Sequence, residues 1–106
     1  MNIELNGILQ SMLTTIREDG WSPNGWNLTP PYCLRAAATQ AIWQAYPAGE
    51  SRQLAYKKTL DLLAETIHGK PKLGLITYWE QDEKRTQGDV EAVLIETIET
   101  LKGIAA

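Results

Sequence analysis

Four stretches of this chain carry apolar side chains three and four positions apart. That spacing constrains the fold more tightly than any other feature of the sequence, because it gathers the apolar groups on one helical face that must then be covered. In the first stretch Leu5, Ile8, Leu9, Met12, Leu13 and Ile16 share a face. They predict a helix from Asn2 or Asn6 to Asp19, with Gly20 as a left-handed C-terminal cap. In the second, Thr29 caps and Pro30 opens a helix whose stripe is Leu34, Ala37, Ala38, Ala41, Ile42 and Ala45. Pro47-Ala48-Gly49 ends it.

The third helix is expected from near Ser51, with Tyr56, Leu60, Leu63, Ala64 and Ile67 buried and Leu54 and Leu62 widening the face. Gly69 ahead of Lys70-Pro71 is its stop signal. Thr86 caps the last helix, Asp89 sits near its positive end, and Val90, Val93, Leu94, Ile98 and Leu101 form its face before Gly103. Between these two, Leu73–Trp79 fits either a short helix or an alternating strand. A helix is favoured because no second strand stands ready to pair with it. Ser22-Pro23-Asn24-Gly25, flanked by Trp21 and Trp26, reads as a turn in an irregular loop or short hairpin. The expectation is a mainly α fold, a compact bundle of four main helices with that Trp-containing connection after helix 1, over residues 1–106 as a single helical domain.

Composition narrows the function classes. With 13 acidic against 10 basic side chains and a net charge of −3, the chain lacks the cationic surplus that replaces phosphate counterions, so nucleic acid is a disfavoured partner. No apolar run approaches the ~20 residues of a membrane span, which argues against a membrane partner. The first residues, Met1–Gly7, show no basic segment leading into an apolar one. A single cysteine cannot form an internal disulfide, and together these features point to the cytoplasm. All eight aromatic residues are Trp or Tyr, four of each, so every ring carries a polar handle suited to boundaries between apolar and wet surroundings.

The usual chemical signatures fail one by one. A zinc site needs about four ligands, whereas Cys33 and His68 each stand alone, so no metal and no cofactor is expected. Cys33 precedes Leu34-Arg35-Ala36-Ala37-Ala38 and reads as a small buried thiol in the first turns of a helix, not a nucleophile. His68, one residue before Gly69, complements a helix C-terminus. Glu80-Gln81-Asp82-Glu83-Lys84-Arg85 could hold Mg²⁺ or supply an acid and a base, but between two apolar segments it reads as a solvated loop. Gly69-Lys70-Pro71-Lys72 lacks the upstream glycine and trailing hydroxyl of a phosphate loop.

Several short motifs nevertheless recur in a telling order. They are Gly20-Trp21 after an amphipathic helix, Cys33-Leu34-Arg35-Ala36-Ala37-Ala38, and Trp79 followed six positions on by Arg85-Thr86, which leads into Asp89-Val90-Glu91-Ala92-Val93-Leu94. This pattern, over about residues 12–101, resembles a small bacterial family of uncharacterised domains of unknown function. Members of that family carry Gly-Trp, then Cys-Leu with an Ala-rich helix, then Trp-Asn-Asp and Arg-Thr. Here Glu80 and Gln81 stand where the family has Asn-Asp, which weakens a catalytic use of those positions. The resemblance implies the fold and leaves function open, and the recurring residues admit a structural account in which Arg85 and Thr86 order the loop and cap the last helix with Trp79 packed beneath.

Three functional readings survive. The first is a non-catalytic module that binds another protein, with Trp21, Trp26 and Tyr32 as candidate interface anchors. By analogy with small acidic proteins that adjust host machinery, it would suit a phage or mobile element. The second is a small enzyme or ligand-binding protein with a pocket of Tyr78, Trp79, Glu80 and Arg85 beside the acidic loop. In it Arg85 would orient an anion and Glu80 would move a proton. The third is a homo-oligomeric accessory subunit that associates through the Ala-rich stripe of the second helix.

Overall fold

The computed structural model describes residues 4–23, 29–69 and 74–105. Its elements are α1 (Leu5–Asp19), α2 (Leu34–Ala45), α3 (Glu50–His68), α4 (Gly74–Glu80) and α5 (Gln87–Ala105). The fold is mainly α: four long helices and one short one, with no strand among the described residues. Within the ambiguous segment Leu73–Trp79 the described residues, 74–79, are helical, as expected where no second strand stands ready to pair. Helix α1 packs against α5 and α2, α3 lies across α2 and α5, and α4 rests on α3.

The apolar stripes meet in one core. Ile8, Leu9, Met12, Leu13 and Ile16 of α1, Leu60 and Leu63 of α3, and Val90, Leu94 and Ile98 of α5 are buried together. Removing a side chain such as Leu9 from such a core costs about 2–5 kcal/mol. The small stripe of α2 faces inward too: Ala36, Ala37, Ala38 and Ala41 are buried, which lets α1 and α3 approach closely, while Ala45 lies outside. A self-association through that stripe would therefore have to displace the core. On α3 the inner positions include Ala55 and Thr59, and Leu54 is exposed rather than part of the face. The buried hydroxyls of Thr59 and Thr97 donate back to Ala55 O and Val93 O at 2.7 Å each, so neither is left unpaired.

Several helix ends differ from the sequence expectation. Thr29 and Pro30 do not open α2; Cys33 is its N-cap, its Sγ accepting from Ala36 N at 3.4 Å. The chain before it is held instead by a bridge in which Tyr32 N donates to Gly20 O and Ser22 N donates to Tyr32 O, each at 3.1 Å. Gly20 has positive φ (89°) but extended ψ (165°), so it turns the chain out of α1 into this bridge instead of closing a left-handed cap. Gly69 does close one, at φ 75° and ψ 10°. Helix α5 continues past Gly103. Its start is as expected and stronger. Thr86 Oγ1 accepts from Asp89 N at 3.2 Å while Asp89 Oδ2 accepts from Thr86 N at 3.0 Å, a reciprocal cap.

Candidate functional site

A cleft of about 560 Å³ opens where the last turn of α3, the helix α4 and the α4–α5 loop converge. It is lined by His68, Tyr78, Trp79, Gln81, Asp82, Glu83 and Arg85. Helical geometry dictates which α4 side chains reach it. Ile76 and Glu80, four residues apart, share the buried face, so Tyr78, two positions from each, is turned to the opposite side. Its ring is 81% exposed. Trp79 lies between these faces, half-buried against the core.

Arg85 fixes the floor of the cleft. Its guanidinium carbon stands 3.9 Å from the centroid of the Trp79 ring, and its Nε donates to Trp79 O at 3.0 Å. The terminal nitrogens stay 4.0 Å from Asp82 Oδ2 and 3.8 Å from Asp89 Oδ2. A planar, permanently charged group stacked on an aromatic face and bonded at its edge is well held. The loop between is tightened by Asp82, whose Oδ1 accepts from Lys84 N and whose carbonyl accepts from Arg85 N, both at 2.9 Å. Arg85 thus orders the loop, with Trp79 packed beneath it.

The sequence reading placed Glu80 in the same pocket, yet its side chain points the other way. Only 2% exposed, its Oε2 accepts from Leu34 N and from Trp21 Nε1, each at 2.8 Å. The carboxylate thus sits at the N-terminus of α2, on a backbone donor that no residue of the helix can satisfy. Burial raises its pKa above the ordinary carboxyl range; the bonds from Trp21 and Leu34 and the charge of Arg35 pull against that rise. A group so enclosed ties α4 to α2 and does not reach a substrate in the cleft.

The whole arrangement belongs to a recognisable lineage. The model of a family described as a family of unknown function (DUF6197) matches residues 2–100. The chain belongs to that family. A comparison with curated proteins and another with solved structures found no match.

The remaining sequence-selected residues of this DUF6197 member fall into two groups. Tyr78, Trp79 and Arg85 come together in the cleft, joined by His68, whose place before Gly69 reads in the sequence as a helix-end cation. Trp21 and Tyr32, selected as interface anchors, are engaged within the fold. Tyr32 is buried, and half-buried Trp21 spends its indole N–H on Glu80. Trp26, the third anchor, lies outside the described residues. Among the described residues the exposed tryptophan is Trp43, covered on one face by Arg52 at 4.5 Å. Arg52 also closes the end of α2 by donating to Tyr46 O at 2.9 Å.

In this DUF6197 fold Cys33 caps α2, whereas His68 lines the cleft at the end of α3. Cys33 is buried and its pKa is raised, by burial first and by the nearby charge of Glu80, which is the reverse of what a thiolate nucleophile needs. Among the described residues no three His, Cys, Asp or Glu side chains converge as metal ligands. Also among them, no helix is long and apolar enough to cross a membrane. Gln87 was missed by the sequence analysis. Its Oε1 accepts from Trp21 N at 3.1 Å and its Nε2 donates to Ile16 O at 3.1 Å, so one side chain of α5 closes the end of α1. A glutamine just after an N-cap carries no sequence signal for such a bond.

Proposed function

We propose that this chain is a non-catalytic protein-interaction module of the cytoplasm, acting as one domain, whose contact face is the cleft beside α4. The observation that carries the reading is Tyr78: a large aromatic ring, 81% exposed, held on a helix at the rim of a 560 Å³ cleft. Among the described residues α4 is anchored through Ile76 and Glu80 on its other side, which leaves that ring outside the core. Amphipathic aromatics with few rotatable bonds are favoured anchors in protein interfaces. The contact face is therefore assigned to α4 and the following loop, and not to Trp21 and Tyr32, which serve the interior.

A catalytic reading of the same cleft has less support. Glu80, the proposed proton carrier, is enclosed behind α4, and Arg85, the proposed anion ligand, is committed to Trp79 and faces Asp82 and Asp89. The test is a photo-crosslinking series. Benzoylphenylalanine in place of Tyr78 should give a discrete crosslinked product in native host cells, and the same group at Thr14 of α1 should not. Products at both positions, or at neither, would remove the support for this face. A product with twice the mass of the chain would replace the reading with self-association.

A further inference from the structure

Resting on the contact face just described, we infer that the partner inserts an arginine side chain into the cleft, its guanidinium stacked on Tyr78 and paired with Asp82 and Glu83. The chain itself supplies the pattern. Arg52 lies over Trp43 at 4.5 Å and Arg85 over Trp79 at 3.9 Å, so two of its accessible rings already carry an arginine. Tyr78 is the most exposed of the large apolar side chains among the described residues, and Arg52 and Arg85 lie over other rings. A cation over such a ring gains from the negative face of the π-system, and more so as water is excluded.

Charge selects the same occupant. Among the described residues lining the cleft the carboxylates are Asp82 and Glu83, and the one permanent cation is Arg85, flanked by Asp82 and by Asp89. Asp82 Oδ2 thus faces a cation only at 4.0 Å, longer than a hydrogen bond, while its Oδ1 accepts from Lys84 N, and both Asp82 and Glu83 are exposed. A guanidinium offers five donors in a planar fork and stacks at the same time, so it uses the ring and the carboxylates together. An anionic partner group would meet Asp82, Glu83 and Asp89, and a purely apolar one would leave the carboxylates without compensation.

The experiment is an NMR titration of the ¹⁵N-labelled chain with the peptide acetyl-Gly-Gly-Arg-Gly-Gly-amide and with its citrulline counterpart, which keeps the shape and loses the charge. The arginine peptide should shift the amides of residues 78–85, and the citrulline peptide should bind at least tenfold more weakly. Tyr78→Phe should keep the response, whereas Tyr78→Ala and the pair Asp82→Asn with Glu83→Gln should each weaken it about tenfold or more. Equal binding of the two peptides, shifts that map elsewhere, or a response unchanged by Tyr78→Ala would overturn the inference. If the crosslink at position 78 forms while the peptides are not distinguished, the contact face stands and the arginine assignment falls. If neither is seen, both fall.

Discussion

Replacing Glu80 with glutamine keeps an acceptor at the N-terminus of α2 while removing a buried charge. Replacing it with alanine removes both. In the alanine variant Leu34 N–H and Trp21 Nε1–H lose the oxygen that each reaches at 2.8 Å. An orphaned buried donor costs about 1–3 kcal/mol, and Trp21, being half-buried, recovers part of its loss from water. The sum is about 2–4 kcal/mol, or a fall in Tm of about 10–25 °C for a domain of this size. Glutamine should stay within about 1.5 kcal/mol of the parent at neutral pH. The pH dependence separates charge from shape. Because folding raises the pKa of Glu80, the native state holds a proton that the unfolded chain has lost. Its contribution is fully present below the ordinary carboxyl range and is lost as pH rises through the raised value. Each pH unit between the two pKa values corresponds to about 1.4 kcal/mol. Urea denaturation from pH 4 to 8 should therefore show the parent losing stability relative to Glu80→Gln as pH rises. A difference that stays constant over that range would refute the reasoning.

Other perturbations test the remaining devices. Thr86→Ala removes one half of the reciprocal cap and should cost about 1 kcal/mol in urea denaturation, whereas Thr86→Ser should cost less. Arg85→Lys loses the planar stack on Trp79 and the fixed Nε–H bond to its carbonyl. It should destabilise by about 1–2 kcal/mol and change the near-ultraviolet circular dichroism of the tryptophans. Glu91 is held below the ordinary carboxyl range by Arg17 and Gln87, the opposite sense to Glu80. Its contribution is present above that range and fades as pH falls through the lowered value, so Arg17→Ala should lower stability by a constant amount above pH 6 and flatten the acid limb at low salt.

The four long helices were legible because their signal is local: apolar spacing within one segment reports the face that will be buried. Gly69 and the Thr86–Asp89 pair were legible for the same reason, since a cap is made by residues that are neighbours in sequence. The opening of α2 was misplaced because Thr29-Pro30 is a sound local start signal overridden at a distance. Glu80, 46 positions away, supplies the acceptor for Leu34 N and so favours a start at Cys33. Trp21 and Gln87 escaped for the same cause, because their partners are remote in sequence, and Tyr32 because it bridges to Gly20 and Ser22 across the α1–α2 connection. The cleft was half legible: Tyr78, Trp79 and Arg85 are close in sequence, but periodicity read on one short helix could not tell that Glu80 faces inward.

That last point links the hidden carboxylate to the exposed ring. On a helix of seven residues there is room for one anchored face, and Ile76 and Glu80 occupy it. Once Glu80 is bound to the start of α2, α4 cannot rotate to hide Tyr78 without breaking two buried hydrogen bonds. Burying a carboxylate is costly, and its bonds to Trp21 and Leu34 only partly offset that cost. What the arrangement secures is orientation: the ring at the cleft is presented by a helix locked from behind. Loosening the lock should therefore weaken recognition at Tyr78 even though Glu80 touches nothing in the cleft. Glu80→Ala, titrated below its unfolding transition, should weaken the arginine peptide several-fold, while Glu80→Gln should keep most of the response. Full affinity in the alanine variant would show that the presentation of Tyr78 does not depend on the buried anchor.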